Sequence, residues 1–347
     1  MAGKWQLNGL RYEQLSDHHN DRLAPMAFGF DDYLLYNLTL PTDSFLRYWN
    51  PTFENAIRTL QFKPNQFGPD VLMSNIETFI QNNSDTSFLI YYSALIPHRP
   101  LISTNHFESN SEMSDIELFT QMLSYLDNNI SRIINALDSN EILNNTLIIF
   151  LGDNGTDSNI LNKMQSLSEH DRQGKGTIKK TGTHVPLIMY WPERIKSPIE
   201  FSSVVDLIDV YSTIISAMGN HKIDFNGIDL LDPNIDPNDD NKSIIIHFDP
   251  DGYNNGNLYG DRCASTNTYK LYNDGSFYNI KDDYLESKKL NSNELSDQEK
   301  EVKRSLESRL DNLPKLRNNI NPNRGIPFII FSLLIFILGV LWKIHDK

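Results

Sequence analysis

Two short apolar runs on either side of a long amphipathic segment constrain the fold of this chain more than any other feature. Residues 87–93 and 147–151 are rich in branched and aromatic side chains, which is typical of buried strands. Between them, apolar residues recur with the period of an α-helix over residues 112–137. A strand, a helix and a second strand in close succession form a βαβ unit. The sequence therefore predicts an α/β fold with a mostly parallel sheet covered by helices.

Other segments extend this unit on both sides. Apolar spacing predicts helices over residues 65–83 and 204–218, and a charged stretch predicts a surface helix over 291–311. Residues 268–280 predict a β-hairpin, whereas residues 1–50 look irregular. The expected regions are an α/β domain over residues 1–235, an antiparallel subdomain with a surface helix over 236–312, a linker over 313–325 and a terminal helix over 326–342.

The composition limits the partners of the chain. Hydrophobic residues make up 39% of the 347 residues, which is enough for a sizeable core. The formal net charge of -14, with no long basic run, argues against nucleic acid as a partner because phosphate binding requires clustered lysine and arginine. Cys263 is the only cysteine, so these residues can form neither an intrachain disulfide nor a cysteine-based metal cluster.

An apolar run near the C-terminus predicts a membrane span. Residues 326–342 are 17 uncharged, almost wholly apolar positions between Arg324 and Lys343. As a helix they would extend about 26 Å, against about 30 Å of bilayer hydrocarbon, and Trp342 would reach the interface. A buried terminal helix is the alternative, but such a helix usually shows a polar stripe, and this run has only Ser332. We therefore expect a single-pass transmembrane helix whose orientation the balanced flanking charges do not fix.

Polar residues follow the second strand-like run directly. Residues 152–155 read Gly-Asp-Asn-Gly, a cluster that favours a turn. Asp153 and Asn154 place a carboxylate and a carboxamide side by side, and hard oxygen ligands of this kind suit Ca²⁺ or Mg²⁺. Gly-Lys-Gly-Thr at 174–177 then precedes another apolar run at 185–192. Because ligands of open α/β sheets gather at the carboxyl ends of strands, the pattern predicts an active-site edge, with an ordinary turn as the alternative.

Five segments occur in an order that a known family shares. They are Gly-Lys-Trp-Gln-Leu at 3–7, Gly-Phe-Asp at 29–31, a strand-end segment at 94–100 that ends in Pro-His-Arg-Pro, Asp-Asn-Gly at 153–155, and Gly-Lys-Gly-Thr through Val-Pro-Leu-Ile at 174–188. Arg262 and the Tyr-Lys-Leu at 269–271 extend the likeness into the predicted hairpin. Over most of residues 1–290 the chain resembles the sulfatase family, which implies an alkaline-phosphatase-like fold.

The resemblance implies a role for each candidate residue. Asp153 and Asn154 would hold a divalent cation, usually calcium, that neutralises the sulfate of the substrate. Lys4 and Lys175 would bind sulfate oxygens and stabilise charge in the transition state. His98 would contact the ester oxygen or help to move a proton to the leaving group. The plainer alternatives are a solvated Lys175 and a His98 that merely ends a strand.

The sequence also departs from the family pattern. Sulfatases use a nucleophile made from the Cys or Ser of a Cys/Ser-x-Pro-x-Arg motif, and Cys263 lacks both the Pro and the Arg. In the family this motif and an early Asp-Asp pair lie upstream of Gly-Lys-Trp, with which this chain begins. Gln6 replaces a His, and Lys180 and Thr181 stand where the family usually has Glu-Gly. We therefore expect an N-terminally truncated chain that binds calcium weakly and is inactive or impaired.

The function implied by the resemblance is hydrolysis of sulfate esters on a sulfated small molecule or glycan. Two alternatives stay open: a phosphodiesterase or phosphotransferase of the same superfamily, and a membrane-anchored protein that binds a sulfated glycan or a partner without catalysis. The Gly-Lys-Gly-Thr block favours the sulfatase. With the terminal helix in a membrane, we expect the catalytic domain over residues 1–235 on the extracytoplasmic or luminal side.

Overall fold

The structure, a computed structural model, divides into two compact units. The described residues are 1–5, 23–36, 48–61, 65–104, 113–164, 173–219, 227–248, 261–313 and 338–340. The first unit comprises Met1–Asp153, Pro186–Lys196 and Phe331–Lys347, and the second comprises Asn154–Val185 and Ser197–Ile330. The chain thus passes from the first unit to the second between Asp153 and Asn154.

Both units contain strands and helices. The strands are β1 (Ala2–Gly3), β2 (Leu34–Tyr36), β3 (Thr52–Glu54), β4 (Thr59–Gln61), β5 (Ile90–Ser93), β6 (Leu147–Leu151), β7 (Leu187–Tyr190), β8 (Ile244–Phe248), β9 (Asp261–Ser265), β10 (Tyr269–Tyr272), β11 (Phe277–Asn279) and β12 (Leu338–Val340). The helices are α1 (Ala24–Ala27), α2 (Gly68–Asn82), α3 (Asp115–Ser139), α4 (Ser158–Leu161), α5 (Lys180–Thr183), α6 (Leu207–Ala217) and α7 (Asp297–Asp311).

The first unit contains a mixed eight-stranded sheet in the order β4-β3-β2-β1-β5-β12-β6-β7. β1 pairs in parallel with β2 and β5, and the other neighbours pair in antiparallel fashion. The expectation of a mostly parallel sheet is therefore corrected. One reason is the short connection over residues 55–58, which can join β3 and β4 only as an antiparallel hairpin. β1, β2, β5 and β6 still run in one direction, because β12 is antiparallel to both β5 and β6.

Helices α2 and α3 pack against each other and bury their apolar faces in the core of the first unit. Helix α3 begins with a capping box, in which the Ser114 hydroxyl accepts a bond from the Glu117 N–H and the Glu117 carboxylate accepts one from the Ser114 N–H. Met122 and Ile133 follow the predicted period and are buried together with Tyr92 of β5. The helix predicted over 112–137 is thus confirmed, and it begins three residues and ends two residues later than predicted.

The first residues of the chain form an ordered strand, although residues 1–50 look irregular in the sequence. β1 lies between β2 and β5, so its two residues occupy an interior position of the sheet. Gly3 has a φ of 105°, and a Cβ at this residue would lie 2.0 Å from the carbonyl oxygen of Ser93. Only glycine lets the two backbones approach this closely. The close approach determines where the chain leaves β1 and therefore where Lys4 lies.

Three residues of the predicted membrane helix have a different structure. Leu338–Val340 forms β12, which pairs with β5 on one side and β6 on the other. The ladders give the β12 backbone the hydrogen-bond partners that a helix would otherwise supply internally. The prediction of a helix is therefore wrong for these three residues, and the remainder of 326–342 lies outside the described residues. Within the described ranges, no helix combines the length and apolar character required to cross a membrane.

The second unit contains a four-stranded antiparallel sheet in the order β11-β10-β9-β8. Its β10–β11 pair is the hairpin predicted over 268–280, and Gly275 has a φ of 82° in the turn. Helix α7 begins at the Ser296 capping box and packs Leu306 into a small core with Leu271 and Phe277 of the sheet. The sheet belongs to the same unit as Asn154 and Lys175 of the candidate site.

Candidate functional site

The sheet of the first unit brings three candidate residues to one edge. Lys4, His98 and Asp153 follow the carboxyl ends of β1, β5 and β6, and these strands run in the same direction. β1 and β5 are direct neighbours, whereas β12 separates β5 from β6. Two strand spacings amount to about 10 Å, which sets the separation of the strand ends before His98 and Asp153. The first unit therefore places a lysine, a histidine and an aspartate along one edge of the sheet.

Lys4 is ordered and buried, with only 7% of its surface exposed. Its N–H donates to the Ser93 carbonyl over 2.9 Å, which continues the pairing of β1 with β5. Ser93 ends β5 and is itself buried. A lysine that is removed from bulk water exerts a stronger field on a nearby anion than an exposed lysine does. The placement is suitable for a sulfate-binding cation.

The loop after β5 is fixed around His98 by hydrogen bonds to its backbone. The Tyr48 hydroxyl donates to the carbonyl of Leu95 over 3.2 Å and to that of His98 over 2.5 Å. His98 Nδ1 lies 2.7 Å from the Arg99 carbonyl oxygen, so this bond requires the proton on Nδ1. In the neutral ring the lone pair is then on Nε2. The imidazole thus has a defined tautomer and a nitrogen that can accept or pass on a proton.

Arg99 and Tyr91 are residues near this edge that the sequence analysis did not select. The Arg99 guanidinium donates to the Asp115 carboxylate at the start of α3 over 3.3 Å, which ties the His98 loop to that helix. Burial first, and then the negative charge of Asp153, raise the pKa of Tyr91 to about 12. The Tyr91 phenol therefore stays protonated at neutral pH in the field of Asp153. Its position in β5, two residues before the strand end, was the signal available in the sequence.

Asn154 and Lys175 belong to a compact loop assembly in the second unit. The Asn154 Nδ2 donates to the Gly155 carbonyl over 2.9 Å, so Oδ1 is the atom able to bind a cation. The Lys175 N–H donates to the Thr156 carbonyl over 3.0 Å, and the Gly155 N–H donates to the Gly182 carbonyl over 2.9 Å. Gly155 and Thr156 are thus bonded to Gly182 and Lys175, respectively. Lys175 is exposed, and its bonding partner Thr156 lies two residues after Asn154 in the chain.

Close backbone packing explains why a glycine follows the Asp-Asn pair. A Cβ at Gly155 would lie 1.9 Å from the Thr181 carbonyl oxygen. Any larger residue would push the 180–183 helix α5 away from Asn154. The Gly155 backbone therefore brings the predicted metal ligand and the predicted sulfate-binding loop together within the second unit.

The donor set fits a hard cation but is small. Among the described residues, no group of three or more His, Cys, Asp and Glu side chains is arranged to hold a metal ion. Asp153 and Asn154 are the metal ligands that the sequence predicts at the strand end, and their oxygens match the preference of calcium. Six to eight oxygens are usual for calcium, so two protein ligands predict weak binding.

Comparison with known proteins identifies the family. The family model described as Sulfatase matches residues 1–220, well over half of the chain and the part that contains all five candidate residues. The chain belongs to the sulfatase family. The sulfatase match covers the sheet edge of the first unit and the Asn154–Lys175 loops of the second.

Individual relatives and structures agree with this assignment. N-acetylgalactosamine-6-O-sulfatase of Bacteroides thetaiotaomicron is 26% identical over 153 residues, which are 42% of this chain and 29% of the relative. Human steryl-sulfatase is 25% identical over 183 residues, which are 50% of this chain and 31% of the relative. The crystal structure of Ps i-CgsB has a TM-score of 0.66 at 22% identity, covering 89% of this chain and 70% of that one. The α/β fold is therefore alkaline-phosphatase-like, and the match spans about a third of the length of these curated relatives.

The one cysteine of the sequence is unsuited to nucleophilic chemistry. Cys263 lies in β9 and is completely buried. Burial raises the pKa of its thiol to about 12, so the thiolate is almost absent at neutral pH. A buried, protonated thiol can neither reach nor attack a sulfate ester.

Proposed function

We propose that these residues supply the cation-binding and sulfate-binding part of a sulfatase site that takes sulfate esters. The observation that carries the proposal is the sheet edge at which Lys4, His98 and Asp153 follow strands of one direction. Asn154 follows Asp153 in the chain, and within the second unit the Lys175 N–H donates to the Thr156 carbonyl. Anion and cation sites at the carboxyl ends of strands are the general arrangement in open α/β sheets.

Each residue has a distinct chemical task in this proposal. Asp153 and Asn154 provide oxygens for calcium, which when bound supplies a positive centre for the sulfate oxygens. Lys4 and Lys175 offset the remaining negative charge of the sulfate, and the burial of Lys4 strengthens its share. His98 Nε2 holds a proton or passes it to the ester oxygen, and the bond from Nδ1 to the Arg99 carbonyl fixes the ring.

The substrate class follows from the relatives and from the charge of the site. The bacterial relative is named for a sulfate on N-acetylgalactosamine, and the human relative for a steryl sulfate. We propose a sulfated small molecule or a sulfated glycan as the ligand. Nothing favours the phosphoryl-transfer alternative over the matched Sulfatase model.

We propose that these 347 residues bind sulfate esters without hydrolysing them. The sequence contains no Cys/Ser-x-Pro-x-Arg, and Cys263 is buried with a raised pKa. The purified chain, mixed with a nitrophenyl sulfate and calcium, is therefore expected to release nitrophenol no faster than buffer does. Release that requires calcium and disappears in Asp153→Ala would show that the chain is a competent enzyme and would contradict this prediction.

Membrane attachment through residues 326–342 is a further proposal, supported by their apolar character. It requires Leu338–Val340 to leave β12 in the membrane-bound chain, because these residues cannot lie in a membrane helix and between β5 and β6 at once. We expect the full chain expressed in cells to stay in the membrane fraction after alkaline carbonate washing. A chain without residues 326–342 should be released by the same wash. Release of the full chain would rule out the membrane helix.

A further inference from the structure

A buried carboxylate in the second unit connects the Lys175 loop to the antiparallel sheet. Glu286 is only 5% exposed, and its Oε1 accepts bonds from the Lys180 N–H over 2.6 Å and from Lys270 Nζ over 3.0 Å. Its Oε2 accepts a bond from the Tyr272 hydroxyl. Lys270 and Tyr272 lie on β10, and Lys180 begins α5. Glu286 thus joins two segments that lie about ninety residues apart in the sequence.

The lysines that meet Glu286 also fix the loop directly. Lys270 is 1% exposed and donates to the Ile178 carbonyl as well as to Glu286. Lys180 Nζ donates to the Ile280 carbonyl over 3.2 Å and lies 5.0 Å from the centre of the Tyr284 ring. Burial chiefly, and also the charge of Lys270, lower the pKa of Lys180, while Glu286 raises it. Glu286 is the carboxylate that offsets both of these ammonium groups within the cluster.

Position 180 places a second positive charge in the field of the buried Lys270. The Lys180 N–H and Lys270 Nζ bind the same Glu286 oxygen, so an acidic side chain at position 180 would start beside the buried Lys270. In this chain position 180 adds a positive charge instead, and the compensating negative charge comes from Glu286. A buried ammonium without a carboxylate partner would be strongly unfavourable.

The anchored segment is bonded to the residues of the candidate site. The Gly182 carbonyl accepts the Gly155 N–H, and the Thr177 hydroxyl donates to the Gly174 carbonyl over 2.9 Å. The Lys175 N–H bonds in turn to the Thr156 carbonyl. A shift of residues 178–182 would therefore be transmitted to both sides of the Lys175 turn.

We propose that Glu286 is a positioning residue for Lys175, holding the 178–182 segment against β10 so that the Lys175 turn stays paired with residues 154–156. The sulfate-binding consequence of this role rests on the proposed function. The backbone consequence does not, so the two can be tested separately.

Amide hydrogen exchange tests the backbone consequence. In Glu286→Gln we expect the amides of Lys175 and Gly182 to exchange at least about tenfold faster than in the wild type, because local opening becomes easier. The amides of α6, which none of the Glu286 bonds involves, should keep their rates. Glu294→Gln removes an exposed carboxylate from the same subdomain and should change neither set. Unchanged rates at Lys175 and Gly182 in Glu286→Gln would overturn the proposal.

Relocating the charge distinguishes positioning from general destabilisation. The double variant with Lys180→Glu and Glu286→Gln moves the carboxylate to position 180, whose N–H binds the same Glu286 oxygen as Lys270 Nζ in the wild type. We expect it to restore slow exchange at Lys175 and Gly182, even if Glu286→Gln alone unfolds more widely. A double variant that exchanges as fast as Glu286→Gln would overturn the charge argument.

Titration with inorganic sulfate tests the functional consequence. We expect Glu286→Gln to bind sulfate about tenfold more weakly than the wild type, and the double variant to recover the affinity. If Lys175→Ala weakens sulfate binding and Glu286→Gln does not, the positioning role fails while the proposed function stands. If the wild type binds no sulfate but exchange at Lys175 depends on Glu286, the proposed function fails instead.

Discussion

Asp153→Asn is expected to weaken calcium binding at least about tenfold, because it removes the only carboxylate of the two-residue ligand set while keeping the size of the side chain. Asp153 lies two residues after the end of β6, and the change leaves the backbone bond from the Gly152 N–H to the Pro186 carbonyl intact. The effect should therefore appear in the calcium affinity and not in the folding of the sheet. Isothermal titration of calcium into both proteins measures it.

Asp157→Asn is the matched control for this prediction. Asp157 is also a carboxylate of this region, but its oxygen caps α4 by accepting the Asn159 N–H over 2.8 Å. Asparagine is an equally good cap, so the variant should keep both its stability and its calcium affinity. Equal losses in Asp153→Asn and Asp157→Asn would indicate a general charge effect and not a ligand at the strand end.

Gly3→Ala is expected to destabilise the first unit by about 3 kcal/mol or more, through overpacking and an unfavourable positive φ. The new Cβ would lie 2.0 Å from the Ser93 carbonyl oxygen, and β1 has neighbours on both sides that limit how far it can move. The free energy of unfolding in urea measures the loss. Because Lys4 follows Gly3, the same change should also displace a predicted sulfate-binding residue.

Gly29→Ala separates the effect of the positive φ from the effect of overpacking. Gly29 has a φ of 96°, close to that of Gly3, but no described atom lies within 4 Å of the position of its Cβ. We expect a loss of about 1 kcal/mol from backbone conformation alone. If Gly3→Ala lowers the free energy of unfolding no more than Gly29→Ala does, the close approach of β1 to Ser93 does not contribute to the effect of Gly3→Ala.

Elements with a strong local pattern could be predicted from the sequence. β6 has the predicted bounds, and α3 and the β10–β11 hairpin differ from the predictions only near their ends. Each of these is determined by neighbouring residues: an apolar run, a helical period or a turn with glycine at a positive φ. The strand-end position of Asp153 follows from β6 and was predictable for the same reason.

Elements that depend on distant partners could not be predicted in this way. β1 has only two residues, and it is a strand because β2 and β5 lie on its two sides. The apolar run that contains β12 has the hydropathy of a membrane helix. Hydropathy does not record the backbone groups of β5 and β6 that pair with β12, so the strand could not be predicted from it. The bonds of Glu286 to Lys180 and Lys270 likewise join residues that no sequence period connects.

The candidate site shows the same division between local and distant information. The motifs located the residues, but the burial of Lys4 and the bonds that fix His98 come from strands and loops elsewhere in the chain. Tyr91 acquires its raised pKa from burial and from Asp153, which lies about sixty residues later in the sequence. Sequence patterns can name the chemical groups, whereas their tautomers and charges depend on the tertiary fold.

The most direct test of the central claim is a calorimetric titration of inorganic sulfate into the wild type, Asp153→Asn and Lys175→Ala, each with and without calcium. Lys179→Ala, which removes the same charge from the same loop, is the control. The proposed site predicts that calcium strengthens sulfate binding to the wild type and to Lys179→Ala, and that binding weakens at least about tenfold in Asp153→Asn and Lys175→Ala. Equal sulfate affinity in all four proteins, with no dependence on calcium, would contradict it.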